Sequence, residues 1–152
     1  MPMMIETIPQ VAPRRGVAAD AVSCAEIVNR WIDAMPWMPR LHDHAAVGAF
    51  CERVVFAGQQ VWVAGDPVAG FVAVDRGAGM ITGLSRGQTG QGIGKALLDR
   101  AKVARDRLDL FCFQANTRAR RFHAREGFVE HDAGGHGNEE GLPDILMRWE
   151  AS

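Results

Sequence analysis

Hydrophobic and polar positions along this chain follow first one period and then another, and each change of period marks a new element. Residues 5–11 read as a short first strand, and Pro13-Arg14-Arg15-Gly16 as a loop with breakers at both ends. From Asp20, placed as an N-cap, Cys24, Ile27, Val28, Trp31 and Met35 recur at helical spacing and make one apolar stripe, which Pro36 and Pro39 end. Ala46, Val47, Phe50, Cys51 and Val54 repeat in the same way and predict a second helix beginning near Asp43. The chain then becomes β-rich. Val61-Trp62-Val63-Ala64 and Phe71-Val72-Ala73-Val74 flank Gly65-Asp66-Pro67, turn chemistry for an antiparallel hairpin, and residues 80–84 read as a third strand of this group.

A glycine-rich stretch leads into a helix over residues 95–102, with Leu97, Leu98, Ala101 and Ala104 on one side. Residues 108–113 are apolar at nearly every position, as in a strand covered on both faces. Asn116 opens a helix that runs to about Glu126 and stops at Gly127. Residues 128–131 and 145–149 are the last two strands, joined by a polar segment over 133–143. The order is strand, two helices, three strands, helix, strand, helix, two strands. It predicts an α/β (α+β) protein with a mixed sheet and helices packed on it. Without an internal repeat or linker, residues 1–152 are expected to form a single domain.

Composition narrows the function classes. A hydrophobic share of 47% with 17 basic and 18 acidic residues argues against a global nucleic-acid or membrane binder. Cys24, Cys51 and Cys112 lie far apart and are odd in number, so neither a disulfide framework nor a zinc knuckle is expected, and a reducing cytoplasm is the expected location. The N-terminus lacks the charged-then-apolar order of a signal peptide, and no apolar run is long enough to span a bilayer. His42-Asp43-His44 lacks a third ligand at suitable spacing, so no metal is expected.

The most informative segment is Gln88-Thr89-Gly90-Gln91-Gly92-Ile93-Gly94-Lys95, between a strand and an amphipathic helix. Glycine lets the backbone turn tightly there and brings N–H groups to an anion at the positive end of the helix dipole, so a phosphate or pyrophosphate is the natural ligand. A Walker A loop fails at Thr89 and Ala96, and a dinucleotide fingerprint fails at Lys95. The remaining pattern, Gly90-x-Gly92-x-Gly94 followed by Lys-Ala-Leu-Leu, resembles the pyrophosphate-binding turn of the GNAT acetyltransferases. The plainer alternative is a tight strand-to-helix connection shaped by glycines. Further along, Asn116-x-x-Ala119-x-x-Phe122-His123-x-x-x-Gly127-Phe128 is similar to a GNAT helix carrying Asn-x-x-Ala-x-x-Phe-Tyr and then Gly-Phe. Two such motifs at the right separation are far more specific than either alone.

The resemblance implies the GNAT fold: a mixed, mostly antiparallel central sheet of about six to seven strands with about four helices and splayed central strands. It also implies acetyl-CoA as cofactor. Leu84, Ser85 and Arg86 would border the cofactor. Gln91, Gly92, Ile93, Gly94, Lys95 and Ala96 would wrap its pyrophosphate. Asn116, Ala119 and Phe122 would flank the pantetheine arm. A main-chain N–H near Leu84 would face the oxyanion that acyl transfer develops. The family's tyrosine, which faces the thioester sulfur, falls on His123, and the chain contains no tyrosine. The usual Gln or Arg at the start of the turn falls on Thr89, with Gln88 and Arg86 close enough to substitute.

No carboxylate lies on residues 80–84, so a general base must come from elsewhere: Glu139, Glu140, Asp144 or His42. The acidic segment Asn138 to Asp144 looks like one found in a subset of bacterial GNAT proteins, and its natural use is recognition of a cationic acceptor. Trp37, Arg40 and His42 would border the acceptor, although Trp37 could equally cap the core. Arg118, Arg120, Arg121 and Arg125 read as a solvated face, with one of them available to a CoA phosphate. The expected function is acetyl-CoA-dependent transfer of an acetyl group, by direct attack, to a primary amine of a small molecule. The alternatives are a protein or peptide N-acetyltransferase and a catalytically silent acyl-CoA-binding module. Neither nucleic acid nor membrane is an expected partner, and the resemblance leaves a homodimer open.

Overall fold

The computed structural model describes residues 12–86, 92–134 and 137–152, with only the backbone of Arg86. The strand expected over residues 5–11 lies outside the described residues. Among the described residues, seven strands form one sheet in the order β1-β2-β3-β4-β5-β7-β6. They are β1 (Arg14–Arg15), β2 (Gln60–Ala64), β3 (Gly70–Asp75), β4 (Met80–Arg86), β5 (Arg107–Phe113), β6 (Val129–Gly134) and β7 (Asp144–Glu150). Every neighbouring pair is antiparallel except β4 with β5. The helices are α1 (Ala21–Ala34), α2 (His44–Phe50), the single turn α3 (Phe56–Gly58), α4 (Ile93–Lys102) and α5 (Thr117–Arg125). None of the helices among the described residues is long and apolar enough to cross a membrane.

Strand periodicity divides the apolar residues between two faces. Val61, Val63, Phe71 and Ala73 point to one side and pack with Cys24 and Val28 of α1 and with Val55 and Phe56. Val72, Val74, Ile81, Leu108 and Leu110 point to the other and meet Ile93, Leu97, Leu98 and Ala101 of α4 and Phe122 of α5. The stripe read at 97, 98 and 101 is therefore the inner face of α4. The hairpin closes at Gly65, whose φ of +95° and lack of Cβ are both required: a Cβ would come within 2.9 Å of the Ala69 amide nitrogen.

Three local readings are corrected. Arg14 and Arg15, expected in a loop, pair with Val63 and Trp62 as an edge strand too short to show a period. Asp20 does not cap α1. It sits in a 3₁₀ turn, Ala18–Asp20, where its carboxylate accepts from the Arg14 guanidinium at 2.8 and 2.9 Å and from the Val17 amide at 2.8 Å. Hydrogen bonding to Arg14 holds the carboxyl below its ordinary pKa and ties β1 to the start of α1. Asp43 does cap α2, accepting from Ala46 N–H at 2.8 Å, but the helix then widens into a π turn, Cys51–Val55. The Phe56 amide reaches the Cys51 carbonyl, and this added residue shifts the phase. Cys51 and Val55 point inward, while Phe50 and Val54 of the expected stripe are exposed.

Across β5 and β7, Asp109 is directly opposite Arg148, and the two form a bidentate pair at 2.8 and 3.1 Å. That hydrogen bonding lowers the Asp109 pKa from its ordinary 3.8, against the opposing effect of burial. A depressed folded-state pKa means that the contribution is complete above the ordinary carboxylate range and is lost as pH falls through the depressed value. Asp109→Asn should lower unfolding free energy by about 1–3 kcal/mol at pH 7. In urea titrations the gap from wild type should close on acidification below the ordinary carboxylate range, and a gap independent of pH would contradict this. Leu98, fully buried under the sheet, should cost about 2–5 kcal/mol as Leu98→Ala in the same assay.

Candidate active site

The central strands part company. β4 and β5 are paired only at Met80↔Asp109 and Ile81↔Leu110, although β4 continues to Arg86 and β5 to Phe113. At the point of separation β4 carries a bulge: Ala73 is opposite Gly83 and Val74 opposite Ile81, so Thr82 is the extra residue. A bulge increases local twist and re-aims the backbone. Thr82 anchors it, with its hydroxyl donating to Gln59 Oε1 and lying 3.4 Å from the Ala73 carbonyl. Beyond Thr82, the β4 backbone groups that point away from β3 face a wedge instead of a strand.

One face of the wedge is built for an anion. Gly92 heads α4 at φ +71°, a left-handed conformation that a side chain would strain, and no side chain caps the helix there. The first-turn N–H groups of a helix lack intrahelical partners, and they sit at its positive end. Among the described residues, a Cβ on Gly92 would meet nothing within 4 Å. A phosphate group fits this cradle. Ile93 and Gly94 are buried, which anchors the turn, and Ala96 N–H bonds the Gly92 carbonyl at 3.0 Å. The Lys95 ammonium is directed to Asp99 and Glu126, both at 3.3 Å, and these hydrogen bonds raise its pKa. Gln88, Thr89, Gly90 and Gln91 fall outside the described residues.

The same face carries α5. Asn116 is its N-cap, accepting from Ala119 N–H at 3.2 Å. Leu84 of β4 and Ala119 both border the main core cluster, which gives the wedge an apolar floor suited to a slender arm. His123 follows Ala119 by one turn on the same side of the helix. It is buried, with the Phe122 and Phe128 rings 5.4 and 5.8 Å from its own. Of the arginines on this helix, Arg120 pairs with Glu130 at 3.2 Å.

The opposite face holds a cleft of about 260 Å³ lined by Phe111, Phe113, Asn138 and Asp144. Two loops form its rim. In the α1–α2 connection, Trp37 packs edge-on against both Trp31 and Phe113, each at 5.7 Å, so it joins core and cleft. Arg40 spends its donors on Asp33, Asn29 and the His42 carbonyl, a brace for the loop. In the β6–β7 connection, Asn138 bonds Asp144 at 3.1 Å and the Leu142 backbone. The two loops meet where His42 Nε2 lies 2.6 Å from Glu139 Oε1, between residues 97 apart in sequence. A carboxylate only accepts, so Nε2 carries the proton. Asp144 is buried, and Glu140 is half-buried beside Glu139.

The structure thus gathers His42, Glu139 and Asp144 around one cleft and puts His123 and Asn116 across the sheet from it. Phe111 and Phe113 were absent from the sequence-based site. They were read as strand core, yet Phe111 is 49% exposed, because α1 covers β2 and β3 and does not extend over β5. Three buried thiols complete the picture. Burial pushes Cys112 up to about 11 and Cys24 up to about 12, and raises Cys51, so none is a ready thiolate nucleophile.

Residues 57–130 match the family model described as Acetyltransferase (GNAT) domain. A search of curated sequences returned no match. Among solved structures, the fold is similar to a GCN5-related N-acetyltransferase from Rhodopseudomonas palustris, with TM-score 0.73, 18% identity, and 97% of this chain covered against 99% of that one. It is also similar to a putative acetyltransferase from Salmonella typhimurium solved with its cofactor acetyl-CoA, with TM-score 0.67, 19% identity, and 93% and 94% of the two chains covered. A ribosomal-protein-alanine N-acetyltransferase from Brucella melitensis gives TM-score 0.67 at 20% identity, with 91% and 99% covered. At such identities the structural likeness speaks for the fold, and the family model speaks for the sequence. The sequence match to the GNAT acetyltransferase domain covers residues 57–130, and the structural likeness extends the GNAT fold over nearly the whole chain.

Proposed function

We propose that the chain, acting as one catalytic domain in the cytoplasm, transfers the acetyl group of acetyl-CoA directly to a primary amine. The observation that carries this reading is the separation of β4 from β5 at the Thr82 bulge, with an anion cradle on one side and an acidic, aromatic cleft on the other. Acetyl-CoA supplies the thioester. The first-turn amides of Ile93, Gly94 and Lys95 hold its pyrophosphate at the N-terminus of α4, beside Ala96, a reading supported by the left-handed turn at Gly92. Leu84, Ala119 and Phe122 line the arm's path, and Asn116 fixes the start of α5 beside it. The β4 main chain near Leu84 faces the carbonyl oxygen and stabilises the charge that develops there.

The amine nitrogen bonds to the carbonyl carbon, the carbon–sulfur bond breaks, the departing sulfur takes one proton and another leaves the nitrogen. His123 donates a hydrogen bond at the sulfur, the position of the family's tyrosine. Its place one turn after Ala119 and the two phenylalanine rings that fix its orientation support this role. The proton acceptor for the amine belongs to the rim, where His42 and Glu139 touch.

Acetyl-CoA should bind the purified chain and be displaced by CoA in calorimetry, and Gly92→Val should weaken that binding about tenfold or more by straining the turn and filling the cradle. No measurable affinity of the wild type would refute the reading. With an amine panel and free-thiol detection, His123→Ala should lower kcat about 10–100-fold while His123→Tyr retains more of it. Unchanged turnover in the alanine variant would remove His123 from the mechanism.

A further inference from the structure

Hydrogen bonds on either side of the central strands fix which way each main-chain group of β4 points. On one side the Gly16 amide donates to the Val61 carbonyl at 2.8 Å, so Val61 and Val63 direct their backbone groups at β1, and Trp62 and Ala64 direct theirs at β3. Carried through the register, Gly70, Val72 and Val74 answer β2, which leaves Phe71 and Ala73 bonding to β4, where Ser85 and Gly83 are their partners. The main-chain groups of Leu84 are therefore turned away from β3. On the other side the Asp109 amide donates to the Gly79 carbonyl at 2.9 Å, so Gly79 and Ile81 point at β5 in the parallel ladder.

These two alternations agree only because one residue is inserted between them. In an unbroken strand Gly83 would follow Ile81 toward the β5 side, and Leu84 would bond to β3. The extra residue at Thr82 reverses the order, so the main-chain groups of Leu84, and not those of Gly83, enter the gap. Side chains carry the same signature: Ile81 and Leu84, an odd number of positions apart, pack on one cluster.

The inserted residue is held from outside its strand. Gln60, Val74 and Ile81 form one row across β2, β3 and β4, so Gln59, just before that row, reaches over β3 to Thr82. The Thr82 hydroxyl donates to Gln59 Oε1 and lies 3.4 Å from the Ala73 carbonyl. The Gln59 amide bonds the Val55 carbonyl at 3.0 Å, which ties the bulge to the end of the π turn.

We propose that Thr82 and Gln59 are positioning residues for acyl transfer, which hold the inserted residue so that the Leu84 N–H is aimed at the carbonyl oxygen of the bound thioester. The inference rests on the acetyl-transfer reading, because it names the side chains that set the oxyanion donor of that same site. Neither side chain touches the cofactor in this role. A donor fixed before the reaction stabilises the developing charge without reorganising, so the pair acts on the chemical step and not on binding.

The test uses the full chain, acetyl-CoA isotopically labelled at the thioester carbonyl, infrared difference spectroscopy and calorimetry. A hydrogen bond to the oxygen weakens the C=O bond, so the bound carbonyl stretch should lie lower in the wild type and Thr82→Ser than in Thr82→Val and Gln59→Ala. Acetyl-CoA affinity should stay within about threefold across these variants. With an amine from the panel, kcat should fall about fivefold in Thr82→Val at unchanged KM for acetyl-CoA, and Thr82→Ser should restore most of it. Val54→Ala, on the exposed side of the π turn, should change none of these. The same carbonyl stretch in wild type and Thr82→Val, a Thr82→Ser variant that behaves as Thr82→Val does, or an affinity for acetyl-CoA weakened about tenfold or more in Thr82→Val would each overturn the inference. The acetyl-transfer reading is scored separately by the wild-type isotherm: if acetyl-CoA binds in any of these outcomes, only the positioning role has failed.

Discussion

Two residue pairs hold β4 to β5, and then the strands separate. Backbone N–H and C=O groups are obligatory hydrogen-bonding groups, so a sheet that opens in its centre leaves a row of them in need of a partner. The two halves are held on either side by long antiparallel ladders, β2 through β4 and β5 through β6. The shared cluster under α4 and α5 clamps them at the closed end. The opening is thus a wedge with a fixed angle, and the bulge at Thr82 turns the β4 main chain into it at its apex.

The fold also sorts charge across the sheet. The face with α4 offers main-chain amides and a helix dipole, suited to an anion, whereas the face with Phe111 and Asp144 offers rings and carboxylates, suited to a cation. Arg40 and Arg148 are both tied to carboxylates on this face, which fixes the loop after α1 and the pairing of β5 with β7.

Much of this was legible in the sequence, for physical reasons that differ by element. Leu97, Leu98 and Ala101 announce the inner face of α4 because helical spacing and burial coincide there. The hairpin is announced by two β-rich runs and a glycine that cannot be replaced sterically. Phase is what sequence conceals. The π turn at Cys51–Val55 shifts the second helix by one residue, so Val55 is buried where the apolar period pointed at Val54, while Cys51 is buried as the period has it. Asp20 carries the chemistry of an N-cap, but Arg14, six residues before it, takes its carboxylate instead. At the proposed site, local motifs point to the cofactor side, where α4 begins at the left-handed Gly92. The acceptor side needs β5, the α1–α2 connection and the β6–β7 connection together. His42 and Glu139 were each candidates, but nothing in a chain segment says that residues 97 apart touch. Phe111 was hidden for the opposite reason: an apolar run reads as covered on both faces, and only the reach of α1 decides otherwise.

The buried cysteines constrain how the chemistry can proceed. Cys112 lies on β5 between the two cleft phenylalanines, close enough in sequence to tempt a covalent route, yet its side chain points to the opposite, α5-covered face and burial keeps it protonated. A route without an acyl-enzyme requires both substrates to be bound at once. Under the proposed direct transfer, that requirement accounts for the architecture, since a gap one strand-layer thick would let a carbonyl carbon from one face meet a nitrogen from the other. Holding both reactants in such a slot converts a bimolecular encounter into an intramolecular one, and this alone can account for several kcal/mol of the barrier, on the order of 7–11 in well-oriented systems. In the proposed mechanism His123 and the rim groups supply only proton management, a smaller task than the chain's missing tyrosine first suggests.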